Sequence, residues 1–130
     1  MKKLSKKNPY ALSRYRTLEL RYFCLQYSEW ENEEKAINLY LKERGKMGAE
    51  ADPTGEAAIL LSNLHYNMSL VRDALVLAGD IDDIIFEGVT RGRSYDVLEA
   101  RRGGLPWARG EYYKLYRKFM FILSCKKQGL

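Results

Sequence analysis

The chain has few of the residues from which catalytic and metal centres are usually built. Among 130 residues it has one histidine, His65, and two cysteines, Cys24 and Cys125. A single imidazole and the lack of a Cys-x-x-Cys pair rule out the nitrogen and sulfur ligand sets of a structural zinc. No metal and no other cofactor is expected. Apolar runs extend only a few residues, far short of the roughly twenty that a bilayer crossing needs, and mean hydropathy is -0.44. No membrane association is expected. The start, Met1-Lys2-Lys3-Leu4-Ser5-Lys6-Lys7, has the basic character of an export signal. Neither an apolar segment nor a small-residue cleavage site follows it, so the chain is read as cytoplasmic, with both thiols reduced and packed as small hydrophobes. Valine, isoleucine and threonine together number 13 against 18 leucines. That balance disfavours strands, and the expected fold class is all-α.

Charge is segregated along the chain. Residues 1–50 carry a net +4, residues 51–90 a net -6 and residues 91–130 a net +7. A basic C-terminal block suits a polyanion, while the bland alternative is a solvated basic face with no ligand.

Residues 1–8 read as a disordered basic tail, residues 9–78 as a helical scaffold and residues 79–130 as a helix-turn-helix unit, all within one compact domain. Tyr15, Leu18, Tyr22 and Leu25 recur at steps of three and four and predict one face of a helix over about 9–27. Ser28 is a candidate cap for a second helix, stopped by Gly45 and Gly48, and Asp52-Pro53 is a third helix's start. Along that third helix Ala57, Leu61, Leu64, Met68, Val71, Leu75 and Ala78 form an unbroken heptad seam. An antiparallel hairpin with the preceding helix is the economical use of it. The runner-up is a homodimeric coiled coil through Leu61, Leu64, Met68, Val71 and Leu75. His65 lies one position off the seam and reads as a structural residue.

Gly79 ends the long helix, and Asp80 is expected to cap a short one over about 81–90 that buries Ile81, Ile84, Ile85 and Val89. Ser94 caps another, which Gly103-Gly104 stops. The last helix, about 108–124, places Tyr112, Leu115, Tyr116, Phe119 and Leu123 on a buried side. Its other side carries Gly110, Tyr113, Lys114, Arg117 and Lys118, with Arg109 at its N-terminal end. A short helix, a glycine-containing turn and a basic second helix match a helix-turn-helix with residues 91–125 as the reading unit. Arg109 and Arg117 suit bidentate contacts to guanine or phosphate, Lys114 and Lys118 suit the backbone as point charges, and Gly110 allows close approach. Arg91, Arg93, Arg101 and Arg102 extend the phosphate footprint. Trp107 reads as a packing residue, and Phe121, on the exposed side, as a contact with another chain or with the N-terminal helices.

The segment Tyr15-Arg16-Thr17-Leu18-Glu19-Leu20-Arg21-Tyr22, followed by a helical hairpin, by Gly92-Arg93-Ser94-Tyr95-Asp96-Val97-Leu98 and by residues Arg109 to Phe119, resembles small regulators encoded by phages and prophages of Gram-positive bacteria. These are the RinA- and ArpU-like late-gene transcription regulators, whose C-terminal part is similar to the promoter-reading helix-turn-helix of sigma factors. The resemblance implies sequence-specific binding of double-stranded DNA near a promoter in a bacterial cytoplasm, with RNA polymerase as a further partner. The turn of residues 103–107 is longer than the sigma-like pattern.

An enzyme is not expected. One histidine near a packing seam supports no serine-histidine-carboxylate set, no glycine-rich phosphate loop precedes a helix, and Asp80, Asp82 and Asp83 read as cap and solvent residues. A metal-dependent nuclease on those carboxylates is the remote alternative. The serious one is an oligomeric assembly or packaging module, such as a small terminase subunit, in which the heptad seam makes the oligomer.

Overall fold

A computed structural model describes residues 9–46 and 54–130, and among them every regular element is an α-helix. The order is α1 (Arg14–Leu25), α2 (Tyr27–Lys46), α3 (Thr54–Ala78), α4 (Ile84–Arg91), α5 (Tyr95–Arg102) and α6 (Arg109–Lys127). The expected tail at residues 1–8, and the stop and restart at Gly48 and Asp52-Pro53, lie outside the described residues.

Helix α1 begins at Arg14 because the Ser13 side chain accepts the Arg16 N–H at 3.2 Å, satisfying one of the amides that a first turn leaves free. Its inward face differs from the predicted one. Tyr15 and Tyr22 are 70% and 65% exposed, whereas Leu20 and Cys24 are fully buried. A tyrosine tolerates solvent at its phenol, so the purely apolar i, i+4 pair takes the core. Burial pushes the Cys24 thiol up to about 12, against the pull of Lys127, and both cysteines are free. Only Gln26 separates α1 from α2, so Ser28 lies inside α2 and caps nothing. Helix α2 also continues through Gly45, which does not stop it.

Helix α3 is the spine. It packs on α2 as the hairpin reading expects, yet its most extensive partner is α6. Leu64, Val71, Leu75 and Ala78 of the seam are buried, and Leu70 and Ala74 add a second buried row that the heptad did not include. Two rows let one helix serve two neighbours. His65 is exposed and pairs with Glu34 across the hairpin.

Asp82 and Asp83 adopt positive φ values of 51° and 58°, a left-handed conformation that aspartate tolerates better than most residues. This kink delays α4 to Ile84 and leaves Ile81 in solvent, contrary to the buried role predicted for it. Asp80 still caps, because its carboxylate accepts the N–H groups of Ile85 and Phe86 at 2.8 and 3.2 Å. Burial outweighs those bonds and holds the Asp80 carboxyl above its ordinary value. Gly92, at φ +66°, ends α4, and Ser94 caps α5 by accepting the Val97 N–H.

Candidate nucleic-acid interface

Helices α4, α5 and α6 place the basic residues of the C-terminal block in two groups. The first gathers on one carboxylate. Glu87 accepts from Arg93 at 2.9 Å and Arg102 at 3.0 Å, and Arg101 lies 3.4 Å away. Arg102 also donates to the carbonyls of Asp82 and Asp83, tying the end of α5 to the kink before α4. Arg91 lines the same hollow beside Phe86 and Thr90. Three of the four predicted phosphate contacts are thus also braces of the helix pair, and the hollow carries two negative charges, Asp83 and Glu87, among four positive ones.

Burial tends to raise the Glu87 carboxyl, but the hydrogen bonds from Arg93 and Arg102 outweigh it and hold the group below its ordinary value. A depressed folded pKa gives stability that is present above the unfolded carboxylate range and is lost as pH falls through it towards the folded value. Glu87→Gln is therefore expected to cost about 1 kcal/mol near neutral pH, as a partly exposed network does. The acid limb of its stability curve should be flatter than that of the wild type. Parallel acid limbs in urea titrations at several pH values would contradict this.

The second group lies on α6. Arg109 pairs with Asp96 and stacks over the Tyr95 ring at 5.3 Å. Gly110, Lys114 and Arg117 follow at steps of four and three, all exposed, with Tyr113 and Lys118 half-buried at the flanks. The Tyr113 hydroxyl accepts the Tyr95 N–H at 3.3 Å, and the Tyr95 hydroxyl donates to the Trp107 carbonyl at 2.7 Å. These two bonds fix the start of α6 against α5 across the long turn. Trp107 packs on Tyr112 as a structural residue, and Phe121 packs on Tyr10 of the N-terminal segment. Among the described residues no ion pair engages Arg91, Lys114, Arg117 or Lys118. Underneath, Tyr112, Phe119, Met120 and Leu123 are buried and lock α6 in place.

Two arginines missing from the predicted set border this face. Arg14 and Arg21 of α1 line a groove of about 760 Å³ together with Arg117, Tyr10 and Tyr116. A second hollow continues past Arg21 to Arg93, Ser94 and Tyr113. The signal was present in the sequence, since Arg14, Thr17 and Arg21 share a helical face, but only the tertiary packing of α1 beside α6 makes it part of the basic surface.

Comparison with known proteins finds no matching family model, no matching curated protein and no matching solved structure. Among the described residues no helix is long and apolar enough to cross a membrane, and no cluster of three or more histidine, cysteine or carboxylate side chains is placed to hold a metal.

Proposed function

We propose that this chain is a sequence-specific binder of double-stranded DNA, with α5 and α6 as a helix-turn-helix and α6 as the helix presented to the major groove. The observation that carries this reading is the exposed Gly110, Lys114 and Arg117 face, whose cations have no acidic partner among the described residues, on a helix whose opposite side is anchored in the core. Unpaired cations are available for phosphates without first breaking an internal bond. Arg109 differs, because it reaches DNA only by exchanging Asp96, so its contribution is smaller than that of Arg117. The role of a phage-type transcription regulator with RNA polymerase as partner rests on the resemblance of residues 15–22, 92–98 and 109–119 to late-gene regulators.

Titration of a fluorescent duplex at several salt concentrations tests the reading. Each phosphate contact contributes about -0.9 to the slope of log affinity against log salt. Replacing Lys114 and Arg117 together by glutamine should remove at least the Lys114 phosphate contact, about 0.9, from the slope and weaken binding more than tenfold. Arg117→Gln alone is also expected to narrow the gap between preferred and random duplexes, as loss of a base-edge contact does. No duplex binding at low salt would sink the proposal.

A second reading, an oligomeric packaging module, draws on the apolar side chains that the α2–α3 hairpin leaves in solvent: Leu39, Ile59, Leu60, Tyr66, Val76 and Leu77. Light scattering that returned a ring-sized mass, with weak duplex binding, would favour it.

A further inference from the structure

Arg14 and Arg21 are seven residues apart on α1, which places them about 10 Å apart along the helix axis on one side. Both are exposed, and no hydrogen bond or ion pair holds their guanidinium groups among the described residues. Elsewhere on α1 the arginine is fully used. Arg16 donates to the Ser124 hydroxyl at 2.9 Å and pairs with Glu19 at 3.0 Å, pinning α1 to α6. The chain therefore separates one arginine that builds the α1–α6 junction from two that do not. Those two face the groove beside Arg117, and the adjoining hollow extends the line of cations from Arg21 to Arg93 at the α4–α5 turn.

Three phenols accompany the cations: Tyr10 and Tyr116 in the groove, Tyr113 in the hollow. Burial pushes the Tyr116 hydroxyl up to about 12, against the pull of Arg21. It stays protonated at neutral pH and repels no anion. Leu12, Leu18 and Met120 line the same groove and offer apolar surface for the arginine stems.

We infer that this furrow between α1 and α6 takes one phosphodiester strand of the duplex, with Arg14 and Arg21 as phosphate-binding residues that flank the reading helix. The inference rests on the proposed function and adds a second element, outside the helix-turn-helix, to the interface. Phosphates recur every ~3.4 Å of axis along one strand and lie farther apart along the strand itself, so guanidinium groups about 10 Å apart on α1 can each engage a different phosphate. Guanidinium groups donate to phosphate oxygens in bidentate form. Their expected effect is sequence-independent, because phosphate carries no base identity.

The test uses the full chain, a 20-base-pair fluorescent duplex and the single-stranded 20-mer of one of its strands, titrated between about 50 and about 200 mM salt. Arg14→Gln with Arg21→Gln should lower the duplex slope by about 1.8, so that affinity falls about tenfold less across that fourfold salt range than it does for the wild type. The ratio of preferred to random duplex should stay unchanged. Arg14→Lys with Arg21→Lys should restore most of the slope, since each lysine still neutralises a phosphate. Thermal melts of the variants matching the wild type would exclude a folding defect. If Lys114→Gln with Arg117→Gln lowers the slope while the α1 pair leaves it untouched, the furrow assignment falls and the α6 reading stands. If the wild type binds no duplex, both fall. A loss seen on the single strand but not on the duplex would also overturn the assignment.

Discussion

Gly88→Ala is expected to destabilise the fold by about 3 kcal/mol, and Tyr112→Phe in the same chain should recover much of that loss. Gly88 is buried in α4, and a Cβ there would stand 2.4 Å from the Tyr112 hydroxyl oxygen, with Leu98 Cδ1 at 3.3 Å and the Arg93 carbonyl at 3.4 Å. A flexible side chain would move aside. Tyr112 cannot, because its ring packs against Tyr95, Trp107, Tyr113 and Tyr116 at centroid distances of 5.0 to 6.4 Å. Its hydroxyl is buried without a hydrogen-bond partner among the described residues, and burial raises its pKa. Tyr112→Phe alone therefore removes no bond and should be neutral or slightly stabilising. The double-mutant cycle reads the contact directly, since the two residues touch and their effects must couple. Chemical denaturation of the four proteins gives the coupling. Additive losses would mean that the Cβ is accommodated by backbone movement of α4 and not by the hydroxyl.

The Gly88–Tyr112 contact marks where sequence pattern stops being informative. Helix class, the caps at Ser94 and Asp80, the buried row Tyr112–Phe119–Leu123 and the packing role of Trp107 follow from local chemistry and were legible. Three features were not. The inward face of α1 is ambiguous in sequence because tyrosines at 15 and 22 complete an apolar period as well as Leu20 and Cys24 do, and only packing tells them apart. The start of α4 moved because two aspartates take a left-handed turn that no periodicity predicts. Arg93, Arg101 and Arg102 look like free cations in the sequence, and nothing in its spacing ties them to Glu87. Their convergence on it depends on how α5 folds back on α4. The proposed interface follows the same rule: its α6 residues share one helix and stand together in the sequence, whereas Arg14 and Arg21 lie some hundred residues away and join them only in the fold.

The heptad seam offers the other large effect, and its form separates the two readings of α3. Leu75→Ala should cost about 3 kcal/mol, the typical price of truncating a leucine in a packed core, and lower the melting temperature by about 10 °C for a chain of this size. Leu64, Val71 and Leu75 are all buried within the one chain, and Leu61 and Met68 are half-buried. A second copy could not occupy the seam without displacing α2 or α6, so the loss should be the same at low and high protein concentration. A coiled-coil dimer through these residues behaves differently, because association stabilises by mass action and makes the melting temperature rise with concentration. Melts of wild type and Leu75→Ala over a hundredfold concentration range distinguish the cases. Constant melting temperatures for both proteins, with a fixed gap between them, would place the seam in the monomer core and leave the exposed apolar side chains of α3, Ile59, Leu60, Val76 and Leu77, as the ones any assembly would have to use.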